Sequence, residues 1–200
     1  MSAPTIVYLH GFRSSPASSK ARELRDSVAA LPGASRPALH VPELQDRPAV
    51  AMAHILELAR DVDPARLAFV GSSLGGFYAT YAAEQRGARA VLVNPAVRPY
   101  DDLAAYRGWQ ENLYTGERFE VLDEHFDELR ALAVPRITRP SRYLLLAQAG
   151  DEVLDYRQAL RFYAGAFQHV EGGGDHAFAG FARMLPLILR FCGAGGAART

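Results

Sequence analysis

Leu67-Ala68-Phe69-Val70-Gly71-Ser72-Ser73-Leu74-Gly75-Gly76-Phe77-Tyr78 is the stretch on which the reading of this chain turns. Its first four apolar residues read as a buried strand, and Gly71 to Gly75 then fits G-x-S-x-G. Beyond it, Leu74, Phe77, Tyr78, Tyr81 and Ala82 recur at helical spacing. A strand, a sharp turn and a helix are the context in which this pattern forms a nucleophile elbow. Such a turn strains the backbone at the serine, so the residues two before and two after it must be tiny. Gly71 and Gly75 meet that need, and Gly76 lets the helix pack closely on the strand. Ser73 is therefore the candidate nucleophile, with Ser72 next in line. Taken alone, the pattern equally fits a plain strand-to-helix turn. An elbow requires a base, an acid and an oxyanion hole elsewhere in the chain.

Composition narrows the setting. A length of 200 residues suits one domain with an adequate core, and 49% hydrophobic with 22% charged residues is ordinary for a globular protein. Lys and Arg total 22, as do Asp and Glu, so zero formal charge offers nothing to nucleic acid or an anionic membrane. The single cysteine, Cys192, cannot form an internal disulfide and reads as a buried residue of the last helix; a reducing cytoplasm is the expected location. The start, Met1-Ser2-Ala3-Pro4, leads straight into a strand-like run, so no signal peptide is expected. No apolar run approaches the ~20 residues of a membrane span. Gly193 to Thr200 reads as a flexible tail to a domain of residues 1–192.

Six short strand-like runs are expected: Thr5–Leu9, Ala38–Val41, Leu67–Val70, Ala90–Val93, Tyr143–Ala147 and Phe167–Val170. Helical faces lie between them. Ala21, Leu24, Val28 and Leu31 mark one, and Val50, Ala51, Ile55, Leu58 and Ala59 a second that starts at Pro48. Asp155 to Gly165 gives another, and Phe181 to Cys192 the last. Alternation of this kind implies an α/β fold, a mostly parallel sheet of about six strands with helices on both faces. Ligands of such sheets sit at the carboxyl ends of the strands, which directs attention to the loops there.

Three of those loops carry chemistry. After the first strand comes His10-Gly11-Phe12, which resembles the His-Gly-x loop of α/β-hydrolases; that resemblance makes the Phe12 amide, together with the Leu74 amide after the nucleophile, a candidate oxyanion hole. The His10 side chain reads as shaping that loop, with catalysis as the alternative. After the fifth strand, Gly150-Asp151-Glu152-Val153-Leu154-Asp155 places Asp151 where a triad acid must sit, whereas Asp155 reads as a helix N-terminal acid. After the sixth, Gly172 to Phe178 presents His176 on a glycine-rich loop. Histidine as a residue type titrates near neutrality and passes a proton both ways. Of the other histidines, His40 and His169 belong to strands, His54 to a helix and His125 to an insertion. The order Ser73, Asp151, His176 is the serine–acid–histidine order of α/β-hydrolases.

Tyr8 to Pro16, Gly71 to Ala79, Asn94 to Val97, Gly150 to Tyr156 and Gly173 to Phe178 together resemble the small YqiA-like bacterial esterases. The resemblance spans nearly the whole chain except the tail. It implies an α/β-hydrolase acting on carboxylic esters, including acyl-CoA thioesters as an alternative, with catalytic roles at Ser73, Asp151 and His176. A carbon–carbon bond hydrolase or acyltransferase on the same fold is a further alternative, as is a binding protein that has lost the chemistry. The partner implied is a small-molecule acyl ester, with neither metal nor cofactor required; the oligomeric state is left open.

Residues 98–137 form an insertion at the carboxyl end of the fourth strand, expected to overhang Ser73 as a short helical cap. Its aromatic and apolar residues, Tyr100 and Trp109 among them, are candidates to line an acyl pocket. Its acids outnumber its arginines, a rim that disfavours polyphosphate headgroups, while Arg13 beside the oxyanion loop is a candidate to hold an anionic group. Short to medium neutral esters are accordingly expected to exceed acyl-CoA as substrates.

Overall fold

The computed structural model describes residues 3–44 and 46–194. Six strands form one parallel sheet: β1 (Thr5–Leu9), β2 (Ala38–His40), β3 (Leu67–Ser72), β4 (Arg89–Val93), β7 (Tyr143–Gln148) and β8 (Phe167–Glu171). Their spatial order is β2-β1-β3-β4-β7-β8. Residues alternate between two apolar layers, as a period of two demands. Val7, Leu9, Phe69, Leu92 and Leu145 face α2 (Pro48–Ala59) and α3 (Leu74–Arg86). Ile6, Tyr8, Val70, Val91 and Leu146 face α1 (Ser19–Ala29) and α7 (Leu185–Phe191). Helix α6 (Tyr156–Phe162) joins the first layer through Ala159. Burial on both faces explains why β1, β3, β4 and β7 read as continuous apolar runs.

The chain leaves β1 for β2 on one side and returns to β3 on the other, so the strand order reverses between β1 and β3. A crevice opens at the carboxyl ends where order reverses. The loops after Leu9 and Ser72 flank it.

Three expectations change on contact with the structure. In α2, Val50 is 47% exposed and Met52 is buried in its place, because the stripe that meets β3 and α3 runs through Ala51, Met52, Ile55 and Ala59. The insertion is not all helical. It holds α4 (Pro99–Asp102), an antiparallel hairpin of β5 (Gly108–Glu111) and β6 (Arg118–Val121), then α5 (Asp123–Ala131). The hairpin turns through Asn112, whose side-chain oxygen accepts the Tyr114 and Thr115 amides, and Gly116 at φ 72°. At the carboxyl terminus, Ala194 is buried and its N–H donates to the Leu189 carbonyl at 2.8 Å, so the ordered chain runs past residue 192. The rest of the expected tail and the Met1-Ser2 start lie outside the described residues. Among the described residues no helix is long and apolar enough to cross a membrane.

Candidate active site

Ser73 sits between β3 and α3 with φ 55° and ψ −121°, a conformation that costs a non-glycine residue on the order of 1–3 kcal/mol. Its neighbours hold it there. The Ser73 N–H donates to the Val93 carbonyl at 3.0 Å, and its carbonyl accepts the amides of Gly76 at 2.9 Å and Ala96 at 3.1 Å. The small flanking residues are a steric necessity. A Cβ on Gly75 would lie 2.0 Å from the Leu9 carbonyl oxygen, and one on Gly71 would lie 2.1 Å from that of Gly75.

His176 reaches Ser73 from the loop after β8, 103 residues further along the chain, with Nε2 at 3.0 Å from the hydroxyl. Its Nδ1 lies 2.9 and 3.0 Å from the two oxygens of Asp151, on the loop after β7. An Nδ1–H that donates to Asp151 leaves Nε2 as the acceptor facing the serine. The His176 side chain is 22% exposed and that of Asp151 only 2%. Burial pulls the Asp151 carboxyl upward, but the bonds from His176, Leu154 and Val153 outweigh it and hold the group below its usual range. The two loops touch directly: the Gly150 N–H donates to the Gly173 carbonyl at 2.7 Å. A Cβ on Gly150 would lie 2.5 Å from the Gly174 carbonyl oxygen, so this approach requires glycine. Asp155 instead caps α6, accepting the Arg157 amide at 3.0 Å.

Side chains to which sequence reasoning gave no such role anchor the histidine loop, among them Asn94, Gln148 and Glu152, with the Lys20 ammonium donating to the Ala177 carbonyl at 2.7 Å. Asn94, 4% exposed at the end of β4, donates to the carbonyls of Asp175 at 2.9 Å and His176 at 3.3 Å. Its side-chain oxygen accepts the Gln148 amide at 2.9 Å. Gln148 in turn accepts the Asp175 amide, and Glu152 accepts the His176 amide at 2.9 Å. The signal available was the position of Asn94 directly after the fourth apolar run, where a site loop begins; in the structure its φ is 40°, a conformation asparagine tolerates better than most residues.

The loop after β1 is shaped as expected. His10, 4% exposed, places Nδ1 at 3.0 Å from the Gly11 carbonyl and accepts the Leu44 amide on Nε2. Burial lowers its pKa, and an acceptor nitrogen requires the neutral ring; the Glu43 carboxylate, 3.6 Å from Nε2, lies outside hydrogen-bonding range. Phe12 packs edge-on against Tyr106 and Phe119, with ring centroids 5.5 and 5.8 Å away. The hairpin is pinned to this loop by Arg13 Nε to the Glu111 carbonyl at 2.9 Å, the Leu113 amide to the Arg13 carbonyl at 2.9 Å, and Asn112 to the Ser14 carbonyl at 2.9 Å.

A cavity of about 180 Å³ adjoins Ser73 and His176, with Phe12, Leu74, Leu103, Tyr106, Leu113 and Leu154 among its walls. Arg13 is also among its lining residues. Tyr100 and Trp109 do not line it. Trp109 is 61% exposed with the Arg118 guanidinium over its ring, because alternation along β5 turns it away from the docked face. The guanidinium groups of Arg98 and Arg130 each lie over the Tyr100 ring, 5.7 Å from its centroid. Among the described residues, no group of three or more His, Cys, Asp or Glu side chains could hold a metal ion.

With this geometry in view, comparison with known proteins places the chain. A model of the uncharacterised protein family UPF0227, the YqiA-like family, matches residues 5–193. The chain belongs to that family. Solved structures similar to it include a protein of Agrobacterium vitis S4, 20% identical at a TM-score of 0.74, with 94% of this chain and 88% of that one covered. The mouse alpha/beta hydrolase domain-containing protein 10 is 18% identical at a TM-score of 0.70, with the same coverage of 94% and 88%. The esterase domain of a Rhodothermus marinus protein is 13% identical at a TM-score of 0.69, covering 96% and 88%. The fold is that of the α/β-hydrolases. Dipeptidyl aminopeptidase B of Saccharomyces cerevisiae is 27% identical over 104 residues, half of this chain; the match spans 12% of the length of that curated relative.

Proposed function

We infer that the protein is a serine hydrolase of carboxylic esters. The observation that carries this reading is the unbroken chain from Ser73 Oγ through both nitrogens of His176 to Asp151, at the wall of an apolar cavity. In the acylation step, Ser73 Oγ attacks the acyl carbon while His176 Nε2 takes the hydroxyl proton. Asp151 holds the imidazole by Nδ1–H and stabilises its cation. The amides of Phe12 and Leu74 receive the oxyanion, a contribution of roughly 3 kcal/mol per donor in such sites. The imidazolium then protonates the departing alcohol, and water attacks the acyl-enzyme by the same route in reverse.

The cavity of about 180 Å³ suits a short to medium acyl chain, each buried methylene of which contributes about 0.8 kcal/mol. Acids crowd the insertion above it, so neutral esters are favoured over acyl-CoA thioesters of equal chain length. Phe12, Leu103, Tyr106 and Leu154 take the acyl-binding role that the sequence pattern had suggested for Tyr100 and Trp109.

A fluorophosphonate probe tests the reading. It should label the protein at Ser73, and Ser73→Ala should abolish labelling without changing the far-UV circular dichroism. Labelling that survives in Ser73→Ala would move the nucleophile, with Ser72 the first residue to examine.

A further inference from the structure

The acyl pocket carries one carboxylate to which the ester reading gives no task. Asp102, the last residue of α4, is the single acid among the described residues that line the cavity of about 180 Å³ beside Ser73 and His176. It also lines an open groove, with Val97, Arg98, Gln158 and Arg161, that reaches neither Ser73 nor His176. Asp102 therefore stands on the wall that the pocket shares with this groove.

The protein supplies this carboxylate with no partner of its own. The neighbouring Asp101 takes the Arg98 guanidinium at 2.7 Å, and the same guanidinium lies over the Tyr100 ring. Arg161 borders the groove without pairing with Asp102. Arg13 borders the pocket, where its Nε is held at the Glu111 carbonyl. Among the described residues the Asp102 side chain makes neither a hydrogen bond nor an ion pair. Asp102 is half-buried, and burial together with the Asp101 charge raises its pKa, with Arg98 opposing. Withdrawing a carboxylate from water without a partner is costly, and a cation brought into the pocket would offset that cost. An ionised group so placed, in a cleft beside a nucleophile, marks a functional position. The other walls decide what can carry the cation. Phe12, Leu103, Tyr106, Leu113 and Leu154 offer contact to methylenes. A chain that is apolar along its length and positively charged further out complements both.

We propose that Asp102 is a specificity-determining residue of the acyl pocket, its carboxylate pairing with a protonated amine borne on the acyl chain of the ester. The inference rests on the esterase reading, which seats the acyl group in this pocket. It narrows the substrate class to esters whose acid half carries an ammonium group beyond one or more methylenes.

Matched esters in which an ammonium replaces a terminal methyl isolate the charge. The pairs are ethyl 3-aminopropanoate with ethyl butanoate, and ethyl 6-aminohexanoate with ethyl heptanoate. At about pH 7.5 the amines are protonated and carboxylates are ionised. The readout is kcat/KM, expressed as the amino-to-alkyl ratio within each pair. Asp102→Asn should lower that ratio at least about tenfold in one pair or both, a magnitude set by loss of a partly screened charge pair. Asp102→Glu should keep part of it. Asp102→Leu should move the two esters of a pair in opposite directions, slowing the amino ester and speeding the alkyl one. A merely structural role would slow both together. Should Asp102→Leu fail to fold, raising the salt from about 20 to about 500 mM should shrink the ratio in the unmodified protein. A ratio that stays within about twofold in Asp102→Asn for both pairs overturns the proposal. Calorimetry of the same esters with Ser73→Ala protein, with and without Asp102→Asn, separates this failure from failure of the ester reading. Cleavage of the esters with a ratio indifferent to Asp102 rejects the amine subsite alone. Cleavage of none of them, with an Asp102-dependent preference for the amino esters in binding, rejects the ester reading and leaves the subsite standing.

Discussion

Replacing Asn94 should expose how much of the site depends on a residue outside the serine–histidine–aspartate chain. Its side chain ties the end of β4 to β7 through the Gln148 amide and to the histidine loop through the carbonyls of Asp175 and His176. Asn94→Ala leaves the buried Gln148 N–H without a partner, at a cost of about 1–3 kcal/mol, and removes a shared bond worth about 1 kcal/mol. It also forces alanine into φ 40°, which costs roughly 1–2 kcal/mol. A loss near 4 kcal/mol is expected, about 10 °C in melting temperature for a chain of this size. Asn94→Asp is the cleaner probe of position. It keeps the acceptor for Gln148 and tolerates the backbone conformation, but turns a carboxylate towards two carbonyl oxygens. Its melting temperature should fall less than that of the alanine variant. Its kcat for a butyrate ester should nevertheless drop by about 10- to 100-fold, because a displacement of His176 by ~1 Å suffices for that. The assays are thermal unfolding followed by steady-state hydrolysis at neutral pH. If Asn94→Asp retains kcat within about twofold of the unmodified protein, the other anchors, Gln148, Glu152 and Lys20, hold the loop without it and the reasoning fails.

Other substitutions divide the remaining roles. Asp151→Asn should lower kcat by something near 10⁴-fold, since both the tautomer and the cation of His176 lose support, whereas Asp155→Asn should cost about 1 kcal/mol as a lost helix cap and well under a decade in rate. Reversed ranks would make Asp155 the acid. The folded pKa of Asp151 is depressed, so its contribution to stability is complete above the unfolded carboxyl value of about 3.9 and is lost as pH falls through the folded one. The gap in melting temperature between the unmodified protein and Asp151→Asn should therefore close on acidification below about pH 4, and a gap that widens there would contradict the sign. Cys192 is fully buried with its thiol pushed up to about 12, so Ellman's reagent at pH 8 should react only after denaturant is added. Prompt reaction with the native protein would place that helix elsewhere.

Local rules carried the sequence far because the site is built at strand ends. Gly71 and Gly75 flank a serine whose turn leaves no room for a Cβ, and that exclusion is legible as spacing alone. Asp151 follows an apolar run and His176 a shorter strand-like one, and a parallel sheet brings the ends of such strands to one edge. What the sequence could not settle was direction and partnership across long separations. Along β5 and β6 alternate residues face opposite ways, and only docking against Arg13 and Ser14, 98 residues away in chain for the bonds from Arg13 and Asn112, decides that Trp109 faces outward. Asn94 looks like any strand-end asparagine until the loop after β8 is folded against it, 81 residues later. A cavity beside Lys20 likewise exists only once α1, the loop after β1 and the histidine loop converge. Backbone pattern depends on near neighbours and can be read along the chain. The partner of a side chain depends on packing between segments distant in sequence, which tertiary structure alone determines.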